Sequence, residues 1–119
     1  MTIPKEAQAR EEMTLRELCQ ALDISRRTVQ GYEAHGLAAP SKKTNMGYLI
    51  YDSDAQQRVR RIRQYQRYGF KIKEIAILLD SSEEMLKSEL DKRLINLREE
   101  NCQLQQTIAE LEAELISLK

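Results

Sequence analysis

The residues best equipped for chemistry gather in one short stretch: Ser25, Arg26, Arg27, Thr28 and Gln30. Arginine bridges guanine bidentately, glutamine pairs with adenine, and serine or threonine reaches bases and phosphates alike. On an arbitrary surface these would be ordinary solvated polar groups. At the opening turn of the second helix of a helix-turn-helix they are placed to meet base edges in the major groove. Further on, Lys42, Lys43 and Asn45 lead into a turn and Tyr48 leaves it. A hairpin there sets cations along a phosphate backbone, and the hydroxyl of Tyr48 or Tyr32 can donate to phosphate. Tyr48 and Tyr51 can equally serve to pack the hairpin on the helices. Arg58, Arg60, Arg61, Arg63 and Arg67 fall within ten positions, a concentration of phosphate-binding potential in which Arg60 and Arg63 are the candidate contacts.

Other chemistries find little support. There is one histidine, His35, placed before Gly36 as a helix C-terminal cap rather than a base or ligand. No Ser-His-Asp or Cys-His arrangement and no glycine-rich phosphate loop is present, so no enzyme is expected and no catalytic residue is assigned. Cys19 and Cys102 lie far apart, with neither Cys nor His at ligand spacing, which argues against a disulfide framework, a zinc site or any cofactor. The longest aliphatic run, Ile75 to Leu79, is too short to span a membrane and the polar start lacks a signal-peptide centre, so a cytoplasmic protein is expected.

These residues need elements to hold them, and the pattern supplies a mainly α fold. Residues 1–12 read as a polar tail. Thr14 and Glu17 form a capping box ahead of Leu15, Leu18, Cys19 and Leu22, which recur at helical spacing. Asp23 and Ile24 make a tight turn, Ser25 caps a second helix running to about His35, and Gly36 stops it. Two short helices joined this way are a helix-turn-helix. Pro40, the Asn45 to Gly47 turn and the Tyr48 to Tyr51 strand then predict a small β-hairpin wing. Ser53 is expected to cap a third helix with Ala55, Val59, Ile62 and Tyr65 inward, ending at Gly69, and a fourth short helix carries Ile72, Ile75, Ala76 and Leu79. Residues 13–80 make up this winged helix-turn-helix domain.

Residues 81–119 carry the most regular pattern in the chain. Leu90, Leu94, Leu97, Asn101, Leu104, Ile108, Leu111, Leu115 and Leu118 step by fours and threes, the a and d series of a coiled coil and the candidate dimerisation residues. Charge divides the same way. Residues 1–79 hold 14 basic and 9 acidic groups, a net +5, and residues 80–119 hold 5 and 10, a net −5. Polyanion binding and self-association are thereby assigned to different segments. Two classes of function fit: a sequence-specific regulator of transcription, or an architectural or adaptor DNA-binding protein with the coiled coil as scaffold.

The stretches RRTVQGYEAHGLAAP, GYLIY and IRQYQRYGFKIKEIAILLD, in this order and spacing, resemble the DNA-binding domain of the mercury-resistance regulator (MerR) family of bacterial winged helix-turn-helix proteins. The resemblance runs from Thr14 to Leu79, and residues 82–119 look like the long helix that follows it in that family. It implies a homodimer joined by an antiparallel coiled coil, which binds an inverted-repeat promoter in double-stranded DNA and distorts it so that RNA polymerase engages. By position it places Arg26, Arg27 and Thr28 in the recognition helix, makes Tyr32 a phosphate contact, and puts Lys42 and Tyr48 in the wing. The family's metal-binding cysteines have no counterpart, since Ser81 and Ser82 stand in the first of the two regions and the chain ends at Lys119; no ligand-binding domain is expected. Gln30 stands where the family usually has an arginine, Leu49 replaces the arginine of its GYR wing motif, and Gly31 takes the place of a tyrosine.

Overall fold

A computed structural model of the chain describes residues 11–119. The elements in order are β1 (Glu12–Thr14), α1 (Leu15–Leu22), α2 (Arg26–Ala34), β2 (Lys42–Lys43), β3 (Leu49–Asp52), α3 (Ser53–Tyr68), α4 (Ile72–Asp80) and α5 (Glu83–Ser117). The chain divides into two units, Met1–Ile77 and Leu78–Lys119.

The first unit is a helix-turn-helix with a sheet. The capping box forms as the sequence implies: Glu17 N–H donates to Thr14 Oγ1 at 3.2 Å, and Thr14 N–H donates back to Glu17 Oε1 at 3.0 Å. Helix α1 ends on Asp23, a left-handed residue at φ 53°, and Ile24 N–H closes onto the Cys19 carbonyl at 3.1 Å. Ser25 then caps α2 by accepting from Thr28 N–H at 3.0 Å. Gly36, at φ 74°, stops α2, with Leu37 N–H returning to the Tyr32 carbonyl at 2.9 Å. Glycine adopts this conformation without the Cβ clash that other residues meet.

Two local expectations change. The hairpin wing is part of a three-stranded antiparallel sheet in the order β1-β3-β2, because Glu12–Thr14 pairs with β3 in the register Glu12↔Asp52, Met13↔Tyr51 and Thr14↔Ile50. Glu12 therefore belongs to a strand and not to the expected tail of residues 1–12; residues 1–10 of that tail lie outside the described residues. The cap of α3 is Asp52 and not Ser53, since Asp52 Oδ1 accepts from Ala55 N–H at 2.9 Å. This bond, with a second from Ser41, holds the Asp52 carboxyl below its ordinary pKa.

The core is built from Leu18 of α1, Val29 of α2, Tyr51 of β3 and Val59 and Ile62 of α3, all fully buried. Gln56 joins them where the helical stripe predicts Ala55, its Nε2 donating to the Tyr51 carbonyl at 2.9 Å. The second unit is dominated by α5, which Ser82 caps through Met85 N–H at 3.1 Å and which runs for 35 residues, about 52 Å at the usual rise. No residue of α5 is buried. Its seam residues Leu104, Leu111 and Leu115 are 58 to 65% exposed. No helix among the described residues is long and apolar enough to cross a membrane.

Candidate nucleic-acid interface

Helix α2 sorts its residues by face. Val29 and Tyr32 point into the core, so Arg26, Arg27 and Gln30, about one turn apart on the other side, stand in solvent. Ser25 and Thr28 are more committed. Their hydroxyls share a hydrogen bond at 2.8 Å while Ser25 also caps the helix, so both serve first to hold the opening turn that presents Arg26 and Arg27.

Three side-chain contacts set the position of α2. The hydroxyl of Tyr51 in β3, fully buried, donates to Glu33 Oε2. Burial and the neighbouring Glu33 carboxylate both push this phenol well above its ordinary pKa. The Tyr32 hydroxyl donates to Gln66 Oε1 of α3 at 2.6 Å. The Arg63 guanidinium donates to the Asp23 carbonyl at 3.3 Å, at the turn between α1 and α2. His35 Nδ1 lies 2.9 Å from the Gly31 carbonyl, in keeping with a C-terminal cap.

Several of the expected contact residues have partners within the fold. Tyr32 is only 2% exposed, and its proton is committed to Gln66 rather than offered to a phosphate. Burial raises its pKa, and Arg63, bonded to it, acts in the opposite direction. The arginines of α3 do not form a free cationic face either. Arg58 Nε donates to the Leu37 carbonyl at 2.7 Å; Arg61 donates to the Tyr65 hydroxyl at 2.7 Å and stacks on that ring at 5.6 Å. Arg60 is half-buried, its Nε buried with no hydrogen-bond partner among the described residues. Arg67 remains exposed.

The wing tip is a tight, well-bonded turn. Thr44 N–H donates to the Tyr48 carbonyl at 2.8 Å, Gly47 N–H to the Thr44 carbonyl at 2.9 Å, and Tyr48 N–H to Thr44 Oγ1 at 3.0 Å. Gly47 sits at φ 89°, which the turn requires and most residues resist. Lys43, Asn45 and Tyr48 are exposed on this frame. Lys42 is exposed too, but its ammonium lies 2.9 Å from Glu12 Oε2 across the sheet, which raises its pKa.

Between α2 and the wing lies a cleft of about 480 Å³ lined by Thr14, Leu15, Arg16, Arg26, Gln30, Gly47, Tyr48 and Leu49. It brings together Arg26, Gln30 and Tyr48, which the sequence pattern singled out, with Arg16, which it did not. The only local signal for Arg16 is a cation in the first turn of α1, two residues after the capping Thr14. Among the described residues no group of three His, Cys, Asp or Glu is disposed to hold a metal. Cys19 is half-buried, its thiol pushed up by burial against the opposing effect of Arg26, and Cys102 is exposed.

Residues 13–82 match the family described as MerR HTH family regulatory protein. The nodulation protein NolA of Bradyrhizobium elkanii is 34% identical over 70 residues, which are 59% of this chain and 32% of NolA. The chain thus spans about a third of the length of that relative. The N-terminal part of MtaN, the Bacillus subtilis multidrug transporter activator, has a TM-score of 0.72 at 23% identity, covering 87% of this chain and 97% of that one. HiNmlR, described as a MerR family regulator lacking the sensor domain and bound to promoter DNA, has a TM-score of 0.66 at 18% identity, covering 87% of each chain. At these identities the two structures bear on the fold alone. The family match takes in the capped α1, α2, the wing and both helices that follow, more than half of the chain, and on that ground the protein belongs to the MerR HTH family of regulatory proteins.

Proposed function

We propose that the protein is a homodimeric regulator of transcription that reads an inverted repeat in promoter DNA, distorts it, and thereby alters its use by RNA polymerase in the cytoplasm. The observation that carries this reading is the face of α2: Arg26, Arg27 and Gln30 stand exposed beside a rigid wing that offers Lys43, Asn45 and Tyr48. One family member, HiNmlR, is described as binding promoter DNA, which favours the same ligand here. The DNA-contacting set is Ser25, Arg26, Arg27, Thr28, Gln30, Lys42, Lys43, Asn45, Tyr48 and Arg60, with Tyr32 and Arg63 holding the helices that present them.

The a and d residues of α5, exposed over about four heptads, support pairing with a second copy. Its direction follows from charge. A parallel pair sets Arg93 at g against Arg98 at e of the other copy, a repulsion, although it suits Asn101 facing its own copy. An antiparallel pair with the 94–118 seams fully overlapped sets Arg98 near Glu112 instead, so antiparallel is the arrangement proposed.

Selection of bound duplexes from a genomic pool at two salt concentrations tests the reading. Recovery of one inverted repeat, with affinity falling steeply as salt rises, is the expected result. Enrichment without a shared motif would replace it with an architectural or adaptor role. The absence of arginine at Gln30 and Leu49, both on the cleft, is the observation that keeps this second reading in play.

A further inference from the structure

We propose that the cleft between α2 and the wing seats a sugar-phosphate unit of the bound DNA strand, with Arg16 and Arg26 holding the phosphate. The inference rests on the DNA-binding reading above and deepens it by adding Arg16 to the contact set. Residues from three separate elements line the cleft: Arg16 from α1, Arg26 and Gln30 from α2, and Tyr48 and Leu49 from the wing. Its lining holds two guanidinium groups and no carboxylate, so its charge is complementary to an anion. Leu15 and Leu49 are half-buried and give it an apolar floor, while Arg16, Arg26, Gln30 and Tyr48 are exposed around it. An apolar floor with a cationic and hydroxyl-bearing rim suits a deoxyribose lying flat and its phosphate turned toward the arginines.

The availability of these groups is a second, independent observation. Among the described residues neither Arg16 nor Arg26 has an ion pair or a side-chain hydrogen bond, in contrast to Arg58, Arg61 and Arg63 of α3, which are each bonded within the fold. The Tyr48 hydroxyl is likewise free among the described residues, whereas those of Tyr32 and Tyr51 are committed. The wing turn that carries Tyr48 is held by three hydrogen bonds, so the far wall of the cleft is set before DNA arrives.

The test compares the full-length protein with Arg16→Gln and Arg16→Lys, using a labelled duplex bearing the selected repeat and a duplex of unrelated sequence and equal length. A phosphate contact weakens both duplexes by the same factor when removed. The expected result is that Arg16→Gln lowers the slope of log K against log salt by roughly 0.9 per protomer, a relative change of roughly 3.5-fold per protomer between about 50 and about 200 mM salt. Arg16→Lys should restore most of that slope. Equal affinity and slope for Arg16→Gln and the parent would overturn the seat. So would a loss confined to the selected repeat, which would make Arg16 a base reader, and so would displacement of both duplexes by millimolar thymidine 5′-monophosphate, which would make the cleft a nucleotide pocket. Failure of the parent itself to bind either duplex would instead refute the DNA-binding reading, and the seat with it.

Discussion

Replacing Tyr51 by Phe should loosen α2 without opening the core. The ring stays and fills the same space; what goes is the hydroxyl that donates to Glu33 Oε2 and ties β3 to α2. A hydrogen bond to a charged group contributes about 1.5–3 kcal/mol. Glu33 is half-buried and regains some water when the hydroxyl is lost, so the lower end, about 1.5 kcal/mol, is expected. For a domain of this size that corresponds to a fall of roughly 6–12 °C in Tm at fixed protein concentration. Urea denaturation of Tyr51→Phe, Glu33→Ala and the double variant isolates the pair, with a coupling energy above about 0.5 kcal/mol expected. The same bond has an alkaline signature. The Tyr51 phenol has a raised pKa in the folded state, so its stabilisation is complete below the unfolded value of about 10 and is lost as the pH climbs above it. The parent should therefore lose stability above about pH 10 more steeply than Tyr51→Phe, by up to about 1.4 kcal/mol per pH unit. Coupling indistinguishable from zero, together with parallel alkaline curves, would refute the claim that this bond anchors α2.

Three other perturbations have equally definite outcomes. The double variant Arg26→Ala, Arg27→Ala should bind every duplex more weakly through the lost Arg26 phosphate contact and lose about 1–3 kcal/mol of discrimination for its selected repeat through Arg27, with the Tm unchanged; undiminished preference in a binding titration would show that Arg27 reads no bases. A spin label on Ser117→Cys, in a background without Cys19 and Cys102, should report about 33 Å between copies if the seams run antiparallel and overlap fully; a distance below about 20 Å would make the pair parallel. The lowered pKa of Asp52 means that its capping contribution is complete above the unfolded value of about 3.9 and is lost as pH falls through the folded value. Asp52→Asn keeps a capping oxygen but cannot titrate, so its urea midpoint should vary less with pH below about pH 4 than that of the parent, and identical pH dependence would remove Asp52 from the account of acid stability.

What was legible in the sequence was local. The capping box of Thr14 and Glu17, the Ser25 cap and the left-handed stops at Gly36 and Gly69 each depend on residues within one helical turn, and each forms where the pattern places it. Strand β1 was not legible, because a three-residue edge strand has no period of its own and exists only by pairing with β3, which lies almost forty positions downstream. The same limit governed the arginines of α3. Their number pointed to phosphate, but whether a guanidinium is free depends on what the fold brings beside it, and Leu37 and Asp23, from other elements, claim Arg58 and Arg63. Arg16 shows the converse, since no pattern marked it, yet the fold sets it on the same cleft as Arg26 and Tyr48.

The two departures from the family's usual residues gain a spatial meaning in the same way. Gln30 and Leu49 are nineteen positions apart in the chain, but both line the cleft between α2 and the wing. Replacing cations there by an amide and an aliphatic side chain removes charge from one place rather than from two unrelated ones. Arg16, on the α1 side of that cleft, supplies a cation at the same place. Phosphate affinity depends on how many cations the backbone meets and much less on which element bears them. Base reading depends on the donor and acceptor pattern each side chain presents. On the proposed reading Arg16 returns one of the two missing cations to the backbone, while Gln30, an amide that pairs best with adenine where an arginine would favour guanine, alters what α2 reads. A selected repeat with adenine opposite Gln30, and a normal salt slope that depends on Arg16, is the combined outcome this geometry requires; guanine at that position with a slope indifferent to Arg16 would contradict both halves of it.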